Sequence, residues 1–173
     1  MTEKHLYLAG GCFWGTQHYF KQVRGVLSTE TGFANGDTEA PTYKEVYTDT
    51  TGYAEAVHII YDADVVSLHL LLEMFFKAID PTQVNGQAHD IGTRYRTGIY
   101  YEDAETEHLA KEICAKVAES YSEPIATEIL PLRNFYAADE YHQDYLQKHP
   151  DGYCHLPSAL FEYARRANGL DTE

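Results

Sequence analysis

The chain has 173 residues, 44% of them apolar and with no break in composition, which fits a single domain, 1–173, and argues against a second one. Thirteen Lys and Arg against 27 Asp and Glu give a formal charge of −14 with no basic cluster, which excludes nucleic acid as a natural partner and predicts a solvated surface. No apolar run approaches the ~18 residues that cross a bilayer, and the stretch from Met1 to Leu6 lacks the basic-then-apolar order of a signal peptide, so no membrane partner and a cytoplasmic setting are expected.

Leu6 and Leu8 alternate with Tyr7 and Ala9 ahead of Gly10-Gly11, which predicts a short strand entering a tight turn. Phe13, Phe20 and Val23 then recur at near-helical spacing, predicting a helix from Trp14 to Arg24 that stops at Gly25. A Thr- and Val-rich strand follows over Val26 to Phe33, and the Tyr43 region reads as a polar loop. Tyr53 to Tyr61 alternates with both faces largely apolar, the pattern of a central strand. Ser67 is placed to cap a helix carrying Leu68, Leu71, Leu72, Phe75 and Ile79, which Asp80-Pro81 ends. A strand at Thr97 to Tyr101, a helix capped by Asp103 and running to Tyr121, and a strand at Ala126 to Leu130 follow. A short helix over Ala138 to Lys148 closes a core of about residues 5–148. The tail, about 149–173, reads as a loose excursion and then a short helix at Pro157 to Ala167. Strands and helices mix without strict alternation, so the expected fold is α+β, a two-layer sandwich of helices on a mixed β-sheet with a loop-rich C-terminal tail.

Three cysteines, Cys12, Cys114 and Cys154, are too few for a secreted disulfide framework, and leave at least one unpaired in a monomer. Cys12 falls where a strand meets a helix, so unpaired amides and the helix dipole favour its thiolate, and the preceding glycines let a substrate approach the backbone. Phe13 and Trp14 are either core residues or an apolar wall beside that thiol, suited to a methyl group. Glu55 shares a strand face with Val57 and Ile59, where desolvation would raise its pKa into the range of a general acid. Tyr43, after Pro41-Thr42, and Tyr95, between Arg94 and Arg96, are the tyrosines whose context suits a phenol facing a pocket. Cys114 lies on a helix seam with Ala110 and Val117, whereas Cys154 sits in a Gly-bearing stretch that can move. Two further readings fit these residues, a cysteine hydrolase using Cys12 with a base such as His142, or a non-catalytic module that binds methionine-like side chains.

The run Gly11-Cys12-Phe13-Trp14-Gly15 resembles the signature of the A-type peptide methionine sulfoxide reductases. Blocks at Gly32 to Gly36, Pro41 to Tyr43, Thr51 to Val57, Asp90 to Arg96 and Tyr141 to Leu146 resemble that family's other motifs, in the same order. The resemblance implies that Cys12 is the nucleophile, Glu55 the proton donor, and Tyr43 and Tyr95 the hydrogen-bond donors to the sulfoxide oxygen. It implies that Phe13 and Trp14 hold the substrate methyl and that Asp90 fixes the substrate or the pocket. It further implies reduction of methionine S-sulfoxide, free or in oxidised proteins, without metal or organic cofactor. The Gly152-Tyr153-Cys154-His155 stretch resembles the version with one resolving cysteine, so a Cys12–Cys154 disulfide recycled by thioredoxin is expected, in a monomer.

Overall fold

The computed structural model describes residues 1–169; residues 170–173, the end of the expected tail, lie outside the described residues. In chain order the elements are β1 (Glu3–Gly10), α1 (Phe13–Lys21), β2 (Val26–Ala34), α2 (Tyr43–Tyr47), β3 (Ala54–Asp62), α3 (Leu68–Ala78), β4 (Gly86–Gln87), β5 (Asp90–Ile91), β6 (Thr97–Tyr101), α4 (Ala104–Ala118), β7 (Glu128–Pro131), β8 (Phe135–Ala137), α5 (Tyr145–Lys148) and α6 (Ser158–Arg166). Two helices start on the caps that the sequence predicts. The Ser67 hydroxyl accepts the Leu70 amide at 3.0 Å, and the Asp103 carboxylate accepts the Thr106 amide at 2.7 Å. Among the described residues no helix is long and apolar enough to cross a membrane.

Six strands form one mixed sheet in the order β7-β6-β1-β3-β2-β8, antiparallel throughout except for β6 and β7, which run parallel across α4. β3 lies between β1 and β2, as its two apolar faces predict. One face carries Leu6, Leu8, Phe33, Val57, Ile59, Tyr61 and Ile99 into a core shared with α1, α3, α4 and α6. The other face is built from small residues, Ala9, Ala34, Ala54 and Ala56, together with Tyr7 and Tyr100. That face is covered by returning chain at Leu132 and Phe135 instead of by helices. Gly32 lets this cover lie close, because a Cβ there would stand 2.5 Å from the Tyr136 carbonyl oxygen. The expected fold class therefore holds, with the helices on one side.

Several local expectations are corrected. Tyr43 opens a short helix, α2, fixed by a capping box in which Thr42 and Glu45 exchange hydrogen bonds at 2.9 and 3.1 Å. The predicted helix over Ala138 to Lys148 is broken into β8's exit, a turn at Glu140–His142, and α5. Its amides and side chains are claimed by β2 and α1. The Gln143 side chain bonds both the amide and the carbonyl of Thr31, and the amide of Asp144, a residue with φ +53°, donates to Gln17 Oε1. The tail is also less loose than its composition suggests, since α6 packs on α1 and Ala164 is fully buried.

Candidate active site

β1 delivers the chain to Gly10 and Gly11 at the edge of the helical layer. Gly11 turns with φ +89°, and a Cβ there would stand 2.9 Å from Gln87 and 3.0 Å from His155. Cys12 follows as the N-cap of α1, only 7% exposed. The first amides of α1 have no partner within the helix, and one of them is taken by a carboxylate 42 residues away: the Phe13 N–H donates to Glu55 Oε1 at 3.1 Å. The register of β2 and β3 sets this contact, pairing Glu55 with Phe33 beneath the helix start.

Glu55 is 1% exposed, and its second oxygen, Oε2, is buried without a hydrogen-bond partner among the described residues. Burial pushes its carboxyl up to about 8, against the downward pull of the Phe13 amide and the Arg94 guanidinium. The helix start does not make Cys12 an easy thiolate, contrary to the expectation from its position. Burial and the neighbouring Glu55 carboxyl hold its thiol well above the usual range, and the Trp14 amide offsets only part of this. Both groups therefore keep their protons near neutrality.

Tyr43, at the first turn of α2, and Tyr95, in the turn after β5, join them. Burial and the Glu55 carboxyl raise both phenols, Tyr95 to about 12, and each phenol is in turn influenced by Cys12. Phenols so raised stay protonated and can donate. Arg94 is 8% exposed, paired with Asp49 and stacked 4.1 and 4.3 Å from the rings of Tyr47 and Tyr95, which fixes the Tyr95 segment. Sequence reasoning missed Asp49 and Tyr47, whose partner Arg94 lies 45 and 47 residues away.

Phe13 is buried against Phe33, Tyr43 and His142, while the partly buried Trp14 stacks on Tyr145 with ring centroids 3.7 Å apart. The Trp14 indole N–H donates to His142 Nδ1 at 3.1 Å, and the His142 ring stacks on Tyr43 at 4.2 Å. His142 is thus a clamp on Trp14 and Tyr43, and the nitrogen that a hydrolase would use as base is occupied.

Asp90, on β5, is close enough to raise the Cys12 thiol, and it accepts the Tyr153 phenol at 2.9 Å, tying the tail to the hairpin. Its Oδ2 is buried without a partner among the described residues. Beyond Tyr153 the chain lies over α1, so that a Cβ on Gly15 would meet Cys154 Sγ at 2.9 Å and the His155 ring at 3.2 Å. Cys154 Sγ accepts the Leu156 amide at 3.4 Å and lines a groove of about 480 Å³ with His18, Leu146 and Phe161. All three cysteines are free. Cys114 stands apart on α4, where burial alone raises its thiol and no site residue influences it. The structure thus brings together Cys12, Glu55, Tyr43, Tyr95, Phe13, Trp14, Asp90 and Cys154, and leaves Cys114 out. His155, at the end of the Gly152 to His155 stretch, belongs to no group of three or more His, Cys, Asp or Glu residues that could hold a metal among the described residues.

Such a set can hold a small polar oxygen among protonated donors while a thiol faces the atom that bears it. Residues 4–171 match the family described as peptide methionine sulfoxide reductase. A protein of Clostridium acetobutylicum described as peptide methionine sulfoxide reductase MsrA is 54% identical over 92% of this chain and 98% of its own length. Among solved structures, the chain is similar to reduced Mxr1 from Saccharomyces cerevisiae, with a TM-score of 0.84 and 35% identity over 88% of this chain and 89% of that one. It is also similar to Mxr1 in complex with Trx2, with a TM-score of 0.59 and 27% identity over 83% and 85% of the two chains.

Proposed function

The chain belongs to the peptide methionine sulfoxide reductase family, and from that premise we propose that it reduces the S epimer of methionine sulfoxide, free or in oxidised proteins, by oxygen transfer to Cys12. The observation that carries this reading is the buried Glu55 carboxyl, with one oxygen held by the Phe13 amide and the other unpartnered beside Cys12. A sulfoxide sulfur is a weak electrophile until its oxygen is protonated or strongly hydrogen-bonded. Glu55 donates its proton to that oxygen, and Tyr43 and Tyr95 hydrogen-bond it. The Cys12 thiol gives its own proton to the emptied carboxylate as its sulfur attacks. As the Cys12–substrate S–S bond forms, the substrate S–O bond breaks and releases hydroxide. The hydroxide then attacks the Cys12 sulfur, the S–S bond breaks, methionine leaves with its electron pair, and Cys12 carries the oxygen as a sulfenic acid. Phe13 and Trp14 form the methyl site, and Asp90 holds the substrate or the pocket.

Recycling follows by attack of Cys154 on the sulfenic acid, which gives a Cys12–Cys154 disulfide and water. A dithiol of the thioredoxin class then reduces the disulfide, reaching it through the groove beside Cys154. The complex of Mxr1 with Trx2 supports this partner. The catalytic unit is the single domain, tail included, acting as a cytoplasmic monomer. The test is an assay of the separated methionine sulfoxide epimers with dithiothreitol. Loss of the S epimer with the R epimer untouched is expected, and persistence of the S epimer would overturn the proposal.

A further inference from the structure

We infer that His155 is the base that takes the proton of Cys154 when it attacks oxidised Cys12, an inference that rests on the proposed resolving role of Cys154. His155 Nε2 lies 2.9 Å from the Gly10 carbonyl oxygen, which can only accept, so Nε2 carries the hydrogen and donates it. In a neutral ring the lone pair then sits on Nδ1. Nδ1 is buried and has no hydrogen-bond partner among the described residues. A buried acceptor without a partner is unfavourable by about 1–3 kcal/mol, so its retention asks for a use.

The position of Nδ1 supplies one. A Cβ on Gly15 would lie 3.2 Å from His155 Nδ1 and 2.9 Å from Cys154 Sγ, so base and thiol are held over the same glycine of the helix that Cys12 caps. Burial keeps the imidazole below its usual value and therefore neutral at pH 7, with Asp90 opposing this. Burial also raises the Cys154 thiol, as does Asp90, so Cys154 starts protonated and needs a base to react. The titratable groups near His155 are Cys154, which shares its contact with Gly15, and Asp90 on β5 with its Tyr153 partner; Gln87, against Gly11, is neutral.

The step balances. The Cys154 proton moves to His155 Nδ1, and the Cys154 sulfur attacks the Cys12 sulfur. The S–O bond of the sulfenic acid breaks, and the leaving hydroxide takes the proton from Nδ1 and departs as water. The Cys154 thiol is oxidised and the Cys12 sulfur reduced, both to the disulfide level, with no other reactant.

The test mixes the full chain with one equivalent of methionine S-sulfoxide and no reductant, and follows methionine release and Cys12–Cys154 formation separately between pH 5 and pH 9. His155→Gln keeps a donor for the Gly10 carbonyl and removes the base. The ratio of disulfide formation to methionine release is expected to fall at least about tenfold at pH 7, and the deficit to shrink toward pH 9 as Cys154 ionises unaided. An unchanged ratio would overturn the inference and leave the resolving role of Cys154 standing. If the variant does not fold, the unaltered protein decides: disulfide formation must slow toward pH 5 as Nδ1, which burial holds below the ordinary ~6.5, becomes protonated, and a rate as high at pH 5 as at pH 7 overturns the inference. Mapping that joined Cys12 to Cys114 would overturn the resolving role and the base together.

Discussion

Glu55 and Cys12 hold their protons for the same reason, loss of water, and the Glu55 carboxyl adds to the reluctance of Cys12 to ionise. The half of this that concerns Glu55 is legible in the sequence, because Val57 and Ile59 on its strand face announce an apolar environment. The half that concerns Cys12 is not. A helix start alone argues for a thiolate, and only the contact of α1 with β3, set 42 residues away, shows that burial wins. Glu55→Gln keeps the shape and loses the proton, so methionine release in a single turnover should slow at least about a hundredfold. A rate within about twofold of the parent would remove Glu55 from the chemistry. The same carboxyl predicts a stability trend. Its folded pKa of about 8 stands above the ordinary ~4.3, so the folded form binds the proton more tightly than the unfolded chain. The stability it lends is full below about pH 4 and is lost as pH rises to about 8. The uncharged amide of the Glu55→Gln variant has no proton to lose in that range. The melting temperature of Glu55→Gln relative to the parent should therefore climb between pH 4 and pH 8, and a pH-independent difference would show that the carboxyl is not buried as described.

Caps and local composition make α3, α4 and β6 legible, because Ser67, Asp103 and the Thr-, Ile- and Tyr-bearing run of Thr97 to Tyr101 act within a few residues of themselves. The segment from Ala138 to Lys148 is not legible in this way. Its residues suit a helix, but Gln143 is used to extend the hydrogen bonding of β2, and a tertiary partner of that kind leaves no local signal. Docking of the tail is hidden for a related reason. Gly15 sits inside α1, where glycine weakens a helix by about 1 kcal/mol relative to alanine, and the sequence gives no cause for it. The cause is Cys154 and His155 lying against it. Gly15→Ala should therefore favour the helix while pushing the tail outward. The expected result is an unchanged or higher melting temperature with slower Cys12–Cys154 formation relative to methionine release. An unchanged ratio would place Cys154 elsewhere when it reacts.

On the scale of the whole molecule, the sheet gathers groups from the entire chain: Cys12 from the first turn, Tyr43 and Glu55 from β3 and its approach, Asp90 and Tyr95 from the polar stretch before β6, and Cys154 from the tail. The fold class is legible because it depends on element types and their order. The strand order is not, since the parallel pairing of β6 with β7 and the edge placement of β8 depend on which faces remain to be covered once the helices have taken one side. Each motif block supplies one wall of the site, and the first turn of α1 carries both the reacting thiol and, at Gly15, the seat of its proposed resolver. The most direct measurement of this account is a single turnover of the intact chain with one equivalent of methionine S-sulfoxide and no reductant, followed by thiol counting and peptide mapping. The expected result is about one methionine per chain, Cys12 joined to Cys154, and one remaining thiol, that of Cys114. No methionine released with all three thiols intact would contradict it.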